Sequence, residues 1–220
     1  MITLALDAST YRGSVAVLDD ARVLVQSTAA MRGRDREQLM PAVATALREA
    51  GASFQAVERV VCGAGPGSFT SLRIAASIAK GIAVGRAIPL FALSSLGLIV
   101  AGNVSDGPRG PRRYLAVLDA LRGESFVAEF EHHEGVVREI AGARLIASDA
   151  VESAAAASDA RAVGPDQPHG WLPHARGTAL MLDDVLAAGP VDLASWEPVY
   201  GRMAEAQVKW EAAHGRTLPR

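Results

Sequence analysis

Short apolar runs open the chain: Ile2–Leu6, Ser14–Leu18 and Ala21–Ser27, with Asp19-Asp20 as the turn between the last two. Runs of this length, bounded by turn residues, predict strands, so the chain is expected to begin as a three-strand meander. The period then changes. In "DREQLMPAVATALREAG" Leu39, Val43 and Leu47 recur every four residues, with Met40 and Ala44 beside them; Arg36, Glu37, Arg48 and Glu49 fall outside that face. This is the pattern of an amphipathic helix stopped at Gly51, and either kinked at Pro41 or started just before it. Val57–Cys62 reads as a strand interrupted only by Glu58 and Arg59. A glycine loop and an Ala/Ile-rich helix follow, then a strand in "AIPLFAL" and a helical piece over Ser94–Val100.

The second half restarts the order. Tyr114–Leu118, Ser125–Glu131 and Val136–Leu145 read as strands, Ser148–Ala157 as a short helix, Arg161–Val163 as a strand and Ala179–Ala188 as a helix ending at Gly189. Strand-strand-strand-helix-strand-helix therefore occurs twice. An antiparallel meander feeding βαβ units makes an α/β fold of two related halves, each a mixed sheet flanked by helices. "GNVSDGPRGPRR" between them is the clearest loop, and the boundary is expected there, giving units 1–105 and 106–220. Near the end, Met203, Ala206, Trp210 and Ala213 share one helical face, which fits a docking helix or a mobile end equally.

Composition narrows the function. Half of the 220 residues are hydrophobic, enough for a sizeable core, and the net charge is −2. A chain that grips nucleic acid unaided normally carries a basic stripe, so any role with RNA is expected to run through an assembly. Cys62 is the only cysteine and lies in an apolar run, as a core thiol does. No apolar run reaches the ~20 residues that span a bilayer, and "MITLALDAST" lacks the basic start of a signal peptide; a cytoplasmic protein is expected, with no membrane role.

Two segments carry candidate chemistry. "GAGPGS", Gly63 to Ser68, precedes a helix, where bare backbone and free N–H groups suit an anion. No Gly-Lys-Ser/Thr closes it, so it is not a P-loop, and a plain strand-to-helix turn with Ser68 as N-cap fits as well. "LDASTYRGS" places Asp7 at a strand end, followed by Ser9 and Thr10, as in hairpins that position a phosphate and its Mg²⁺. Asp7, Ser9, Thr10, Gly65, Gly67 and Ser68 are thus the nucleotide candidates. The helix beyond the loop adds a stripe of mostly small residues from Leu72 to Ala83, widened by Ile74 and Ile78, and such a stripe lets another helix approach closely. An independent actin-fold kinase or ATPase would use Asp7 and Asp119, one per half, but no further acidic motif supports them. A metallopeptidase would need clustered ligands, whereas His132 and His133 are adjacent and point to opposite faces of a strand, and His169 and His174 lack an acidic partner at motif spacing.

"LALDAST", "GPGSFTSLRIAASIAKGIA", "DALRGESFVAEF" and "EPVYGR", in this order and spacing, resemble the TsaB (YeaZ) family over essentially the whole chain. The resemblance implies two actin-like (ASKHA) subdomains. It implies a non-catalytic subunit that pairs with the catalytic subunit TsaD and works with the ATPase TsaE. Their joint reaction is N6-threonylcarbamoylation of the adenosine 3′ of the anticodon in tRNAs that read ANN codons. It also implies a homodimer when the chain is alone, tRNA contact only through the complex, and no cofactor in the isolated subunit, ATP/ADP and metal belonging to the assembly. The helix after the first meander and the helix after the glycine loop would form the partner surface, with Arg36, Leu39, Met40, Val43, Leu47, Ile74, Ile78 and Ile82 upon it.

Overall fold

The structure, a computed structural model, describes residues 1–31, 38–104 and 112–200. Strands β1 (Ile2–Asp7), β2 (Arg12–Asp19) and β3 (Arg22–Ala30) form the expected meander. Helix α1 (Leu39–Glu49) starts two residues before Pro41, where a missing N–H removes no helical bond. Strand β4 (Arg59–Gly63), helix α2 (Phe69–Arg86), strand β5 (Leu90–Leu93) and helix α3 (Ser95–Ala101) complete the first half. Its sheet runs β3-β2-β1-β4-β5, antiparallel through the meander and parallel from β1 to β5.

The second half repeats this with β6 (Arg112–Asp119), β7 (Glu124–His133), β8 (Val136–Ala147), α4 (Val151–Ala157), β9 (Arg161–Val163) and α5 (Thr178–Ala188), its sheet running β8-β7-β6-β9. The repeat extends to register: Asp7 ends β1 opposite Ser14, and Asp119 ends β6 opposite Ser125. The loop on which the boundary was expected lies largely at 105–111, outside the described residues, as do Arg36 and the tail from Gly201.

Alternation along the strands sets the layers. On the first sheet Leu4, Leu6, Val15, Val17, Val60 and Cys62 face outward and are covered by α1 and α2. Ala5, Ala16, Leu18, Val61 and Phe91 face inward. They meet α3, α5 and the inner face of the second sheet, including Tyr114, Ala116 and Phe130, in one continuous core. Leu115, Val117 and Val127 face the other way, under α4. Small residues on the inner strands let α3 sit close: Gly97 lies against Met181 and Phe130, where a Cβ would collide.

The stretch before α5 fastens this middle layer. Ala175 N–H donates to Ser14 Oγ at 2.9 Å, and the Arg176 guanidinium reaches the Gly102 carbonyl at 2.6 Å and Gln26 Oε1 at 3.1 Å. His174 Nδ1 accepts the Arg176 N–H at 3.2 Å, so that nitrogen must be unprotonated. Burial, and then the neighbouring Arg176 charge, hold the His174 pKa down to about 4 from 6.5. A histidine depressed in this way binds its proton more readily unfolded, so stability is lost as pH falls from 6.5 towards 4. His174→Gln keeps an acceptor that does not titrate. Over this interval the urea midpoint of the native chain should drop more than that of the variant; equal drops would contradict the assignment.

Candidate functional site

The glycine loop and the Asp7 hairpin meet where β1, β4 and β5 end. Asp7 is fully buried, because its position on β1 places it on the inner face beside Ala5. Its Oδ1 accepts the Ser9 N–H at 3.0 Å and the Ser9 hydroxyl at 2.8 Å; its Oδ2 accepts the Ser95 hydroxyl at 2.5 Å. Ser95 is the first residue of α3, and its Oγ also accepts the Gly65 N–H at 3.0 Å. Burial pushes the Asp7 carboxyl above its ordinary pKa, and the bonds from Ser95 and Ser9 oppose that shift. Burial, and then the Asp7 charge, likewise push the Cys62 thiol up, which makes it an inert core residue.

The glycines are required by this contact. A Cβ at Gly63 would fall on the Asp7 carboxylate, one at Gly67 on the Ser9 carbonyl, and one at Gly65, whose φ is +86°, on the Val199 carbonyl. Ser68 N–H donates to the Ser9 carbonyl at 2.7 Å and Ala64 N–H to Leu93 at 2.8 Å. Ser68 occupies the N-cap position of α2 without a side-chain cap; its hydroxyl bonds Ser71 Oγ at 3.2 Å. Thr10 Oγ1 donates to the Arg12 carbonyl.

Asp7, Ser9, Thr10, Gly65, Gly67 and Ser68 are therefore brought together, but as a closed junction. The hydrogen-bonding capacity expected to meet a phosphate and its Mg²⁺ is spent within the chain, which corrects the nucleotide expectation for Asp7 and Ser9 in particular. Asp119 does not share this place. It is exposed, accepts Leu121 N–H at 2.8 Å, and lines an open depression of about 360 Å³ with Ser125, Ser148, Val151, Asp166 and Gln167. Among the described residues no three His, Cys, Asp or Glu side chains are grouped to hold a metal ion. His132 is buried and His133 exposed, as their adjacency required.

The expected partner residues separate. Leu39, Val43 and Leu47 are buried at 0–2% exposure and Ile82 at 9%, all in the chain's own outer core. This corrects their assignment to an exposed face: the outer surface of the first sheet is apolar, and these side chains cover it. Met40 is 36% exposed, and Ile74 and Ile78 are half-buried. The outward face of α2 is formed instead by Thr70, Ser77, Gly81 and Val84, with Val84 66% exposed. At Gly81 and Gly85 an added Cβ would touch nothing within 4 Å.

One contributor was not foreseen. The segment 190–200 straps the open edge of the first sheet and runs back along α2. Val191 N–H bonds Leu90 O, Trp196 lies under Lys80, Val199 N–H bonds Ala64 O, and the Tyr200 ring packs on Phe69 with centroids 4.6 Å apart.

Antiparallel meanders continued into parallel βαβ units, twice, define the actin-like class of two-subdomain proteins. The family model for "TsaD: tRNA N6-adenosine threonylcarbamoyltransferase" matches residues 31–167. The solved structure of YeaZ from Pseudomonas aeruginosa superimposes with a TM-score of 0.76 at 28% identity, covering 90% of this chain and 99% of that one. The tRNA threonylcarbamoyladenosine biosynthesis protein TsaB of Escherichia coli is 34% identical over 134 residues, 61% of this chain and 57% of the relative. Its Bacillus subtilis namesake is 30% identical over 141 residues, 64% and 59% respectively. The match thus spans less than two thirds of these relatives' length. The chain belongs to the family that the model describes, among its TsaB/YeaZ members.

The junction predicts a specific mutational order. Asp7→Ala strands the Ser9 and Ser95 donors in the interior and should cost about 2–4 kcal/mol, whereas Asp7→Asn keeps an acceptor for Ser9 and a polar contact to Ser95 and should cost less than half of that. Urea unfolding of both variants checks this; equal losses would mean that the hydrogen bonds do not hold the junction.

Proposed function

We propose that this chain is a non-catalytic subunit in the formation of threonylcarbamoyladenosine in tRNA. In this reading it presents the outward face of α2 to a TsaD-type catalytic relative. A TsaE-type ATPase joins the same assembly, tRNA is reached only through it, and a second copy of the chain takes the partner's place when the chain is alone. The printed names of the relatives and of the family model support the pathway. The observation that carries the docking role is the α2 face, where Ser77, Gly81 and Val84 are exposed and Gly81 leaves room for another backbone. A large residue there can be added without disturbing this chain's own packing.

Nucleotide and metal are assigned to the assembly, because the Asp7 junction is closed on itself. No helix of the described residues is long and apolar enough to cross a membrane. An independent kinase or ATPase reading has no observation in its favour beyond the fold.

Reconstitution with the catalytic relative and the ATPase, read by nucleoside mass spectrometry, should give modified adenosine only when this chain is present. Gly81→Leu and Val84→Glu should stay folded and lose both co-purification and modification. Modification without the chain, or by the chain alone, would overturn the subunit role; full activity of both variants would place the interface elsewhere. Calorimetry of the chain alone should detect no low-micromolar ATP binding, and a tight isotherm abolished by Asp7→Asn would contradict the closed junction.

A further inference from the structure

The α2 face is not uniform across its width. Its small central positions lie between two ridges: Ile74 and Ile78 on the side of α1, and Arg73 and Lys80 on the side of the 190–200 strap. The helix carries three basic residues and no acidic one. Arg86 is turned away and bonds the Gln55 carbonyl at 2.7 Å. Arg73 and Lys80 are held in place by aromatic rings: the Arg73 guanidinium lies 5.0 Å from the Phe69 ring centre and the Lys80 ammonium 5.7 Å from that of Trp196. Neither makes an ion pair among the described residues. The nearby strap acid Asp192 is committed to Ser195 Oγ and the Ala194 N–H.

Resting on the docking role proposed above, we infer that this face selects a partner helix that is apolar along one edge and acidic along the other, and that it disfavours a second copy of this chain. Symmetry supplies the reason. In a twofold antiparallel pair of α2 helices like edges meet, so the two basic ridges oppose each other. In a twofold parallel pair each basic ridge lies over the other copy's isoleucines, which strips water from cations without pairing them. Only a different chain can place carboxylates along Arg73 and Lys80 while setting apolar side chains against Ile74 and Ile78. Repulsion between copies and attraction to the partner then depend on salt with opposite signs.

Sedimentation equilibrium of the full chain, alone and with the catalytic relative, reads both signs directly. Between about 50 and about 500 mM NaCl the self-association constant should strengthen, and the affinity for the relative should weaken by about tenfold. The double variant Arg73→Glu/Lys80→Glu, exposed enough to leave the fold intact, should lose at least about tenfold in affinity for the relative. If Gly81→Leu breaks the mixed complex but salt and the double variant leave it unmoved, the charge selection is wrong and the docking role stands. If Gly81→Leu leaves the mixed complex intact, the docking role itself fails and the inference fails with it. Self-association that weakens with salt also overturns it.

Discussion

A single buried carboxylate organises this molecule. Asp7 binds the turn that follows it through Ser9 and the start of α3 through Ser95, and Ser95 in turn holds the Gly65 amide. Three segments far apart in sequence are fixed at one point, and α2 leaves from that point. An unpaired carboxylate in such a place would cost several kcal/mol, so the site persists because every bond it needs is supplied. The glycines follow from the same constraint: any side chain at Gly63 or Gly67 would push the loop off the hairpin. A strand-end aspartate facing a glycine loop is compatible with ligand chemistry. Here the two loops are in direct contact, and the result is a rigid base for a helix.

That base gives the outer helices their separate tasks. Leu39, Val43 and Leu47 of α1, with Ala75, Ala79 and Ile82 of α2, are consumed by the first sheet. What remains outside is narrow: small residues along the middle of α2, isoleucines on one flank and cations on the other. The strap from Val191 to Tyr200 closes the sheet edge at β5 and backs the cations with aromatic rings. The second half contributes through the shared middle layer, where the turn at Ala175–Gly177 docks on β2 and the end of α3.

Much of this was legible in the chain itself. The meander, the doubled element order and both glycine-bounded helices follow from apolar periodicity and turn residues, and Arg161–Val163 appears with the bounds expected of it. The role of Leu39, Val43 and Leu47 was misread because periodicity reveals an apolar face but not what covers it. Ser95 was read only as part of a helix, since its partner Asp7 lies 88 residues away and nothing local marks the bond. The paired serines at the end of β5 were the available signal: Ser94 caps α3, leaving Ser95 free to face the sheet. The strap was missed because Pro and polar residues in 190–200 look like a surface loop, and its anchoring runs through backbone bonds that no side-chain pattern encodes.

The central claim is that this chain acts through one outward helix face. Hydroxyl-radical footprinting with and without the catalytic relative tests it most directly, because several apolar side chains start out comparably exposed: Val84 at 66%, Leu121 at 67% and Ile140 at 48%. Binding should protect Val84 strongly and leave Leu121 and Ile140 reactive. Protection of Leu121 or Ile140 with Val84 unchanged would contradict the account.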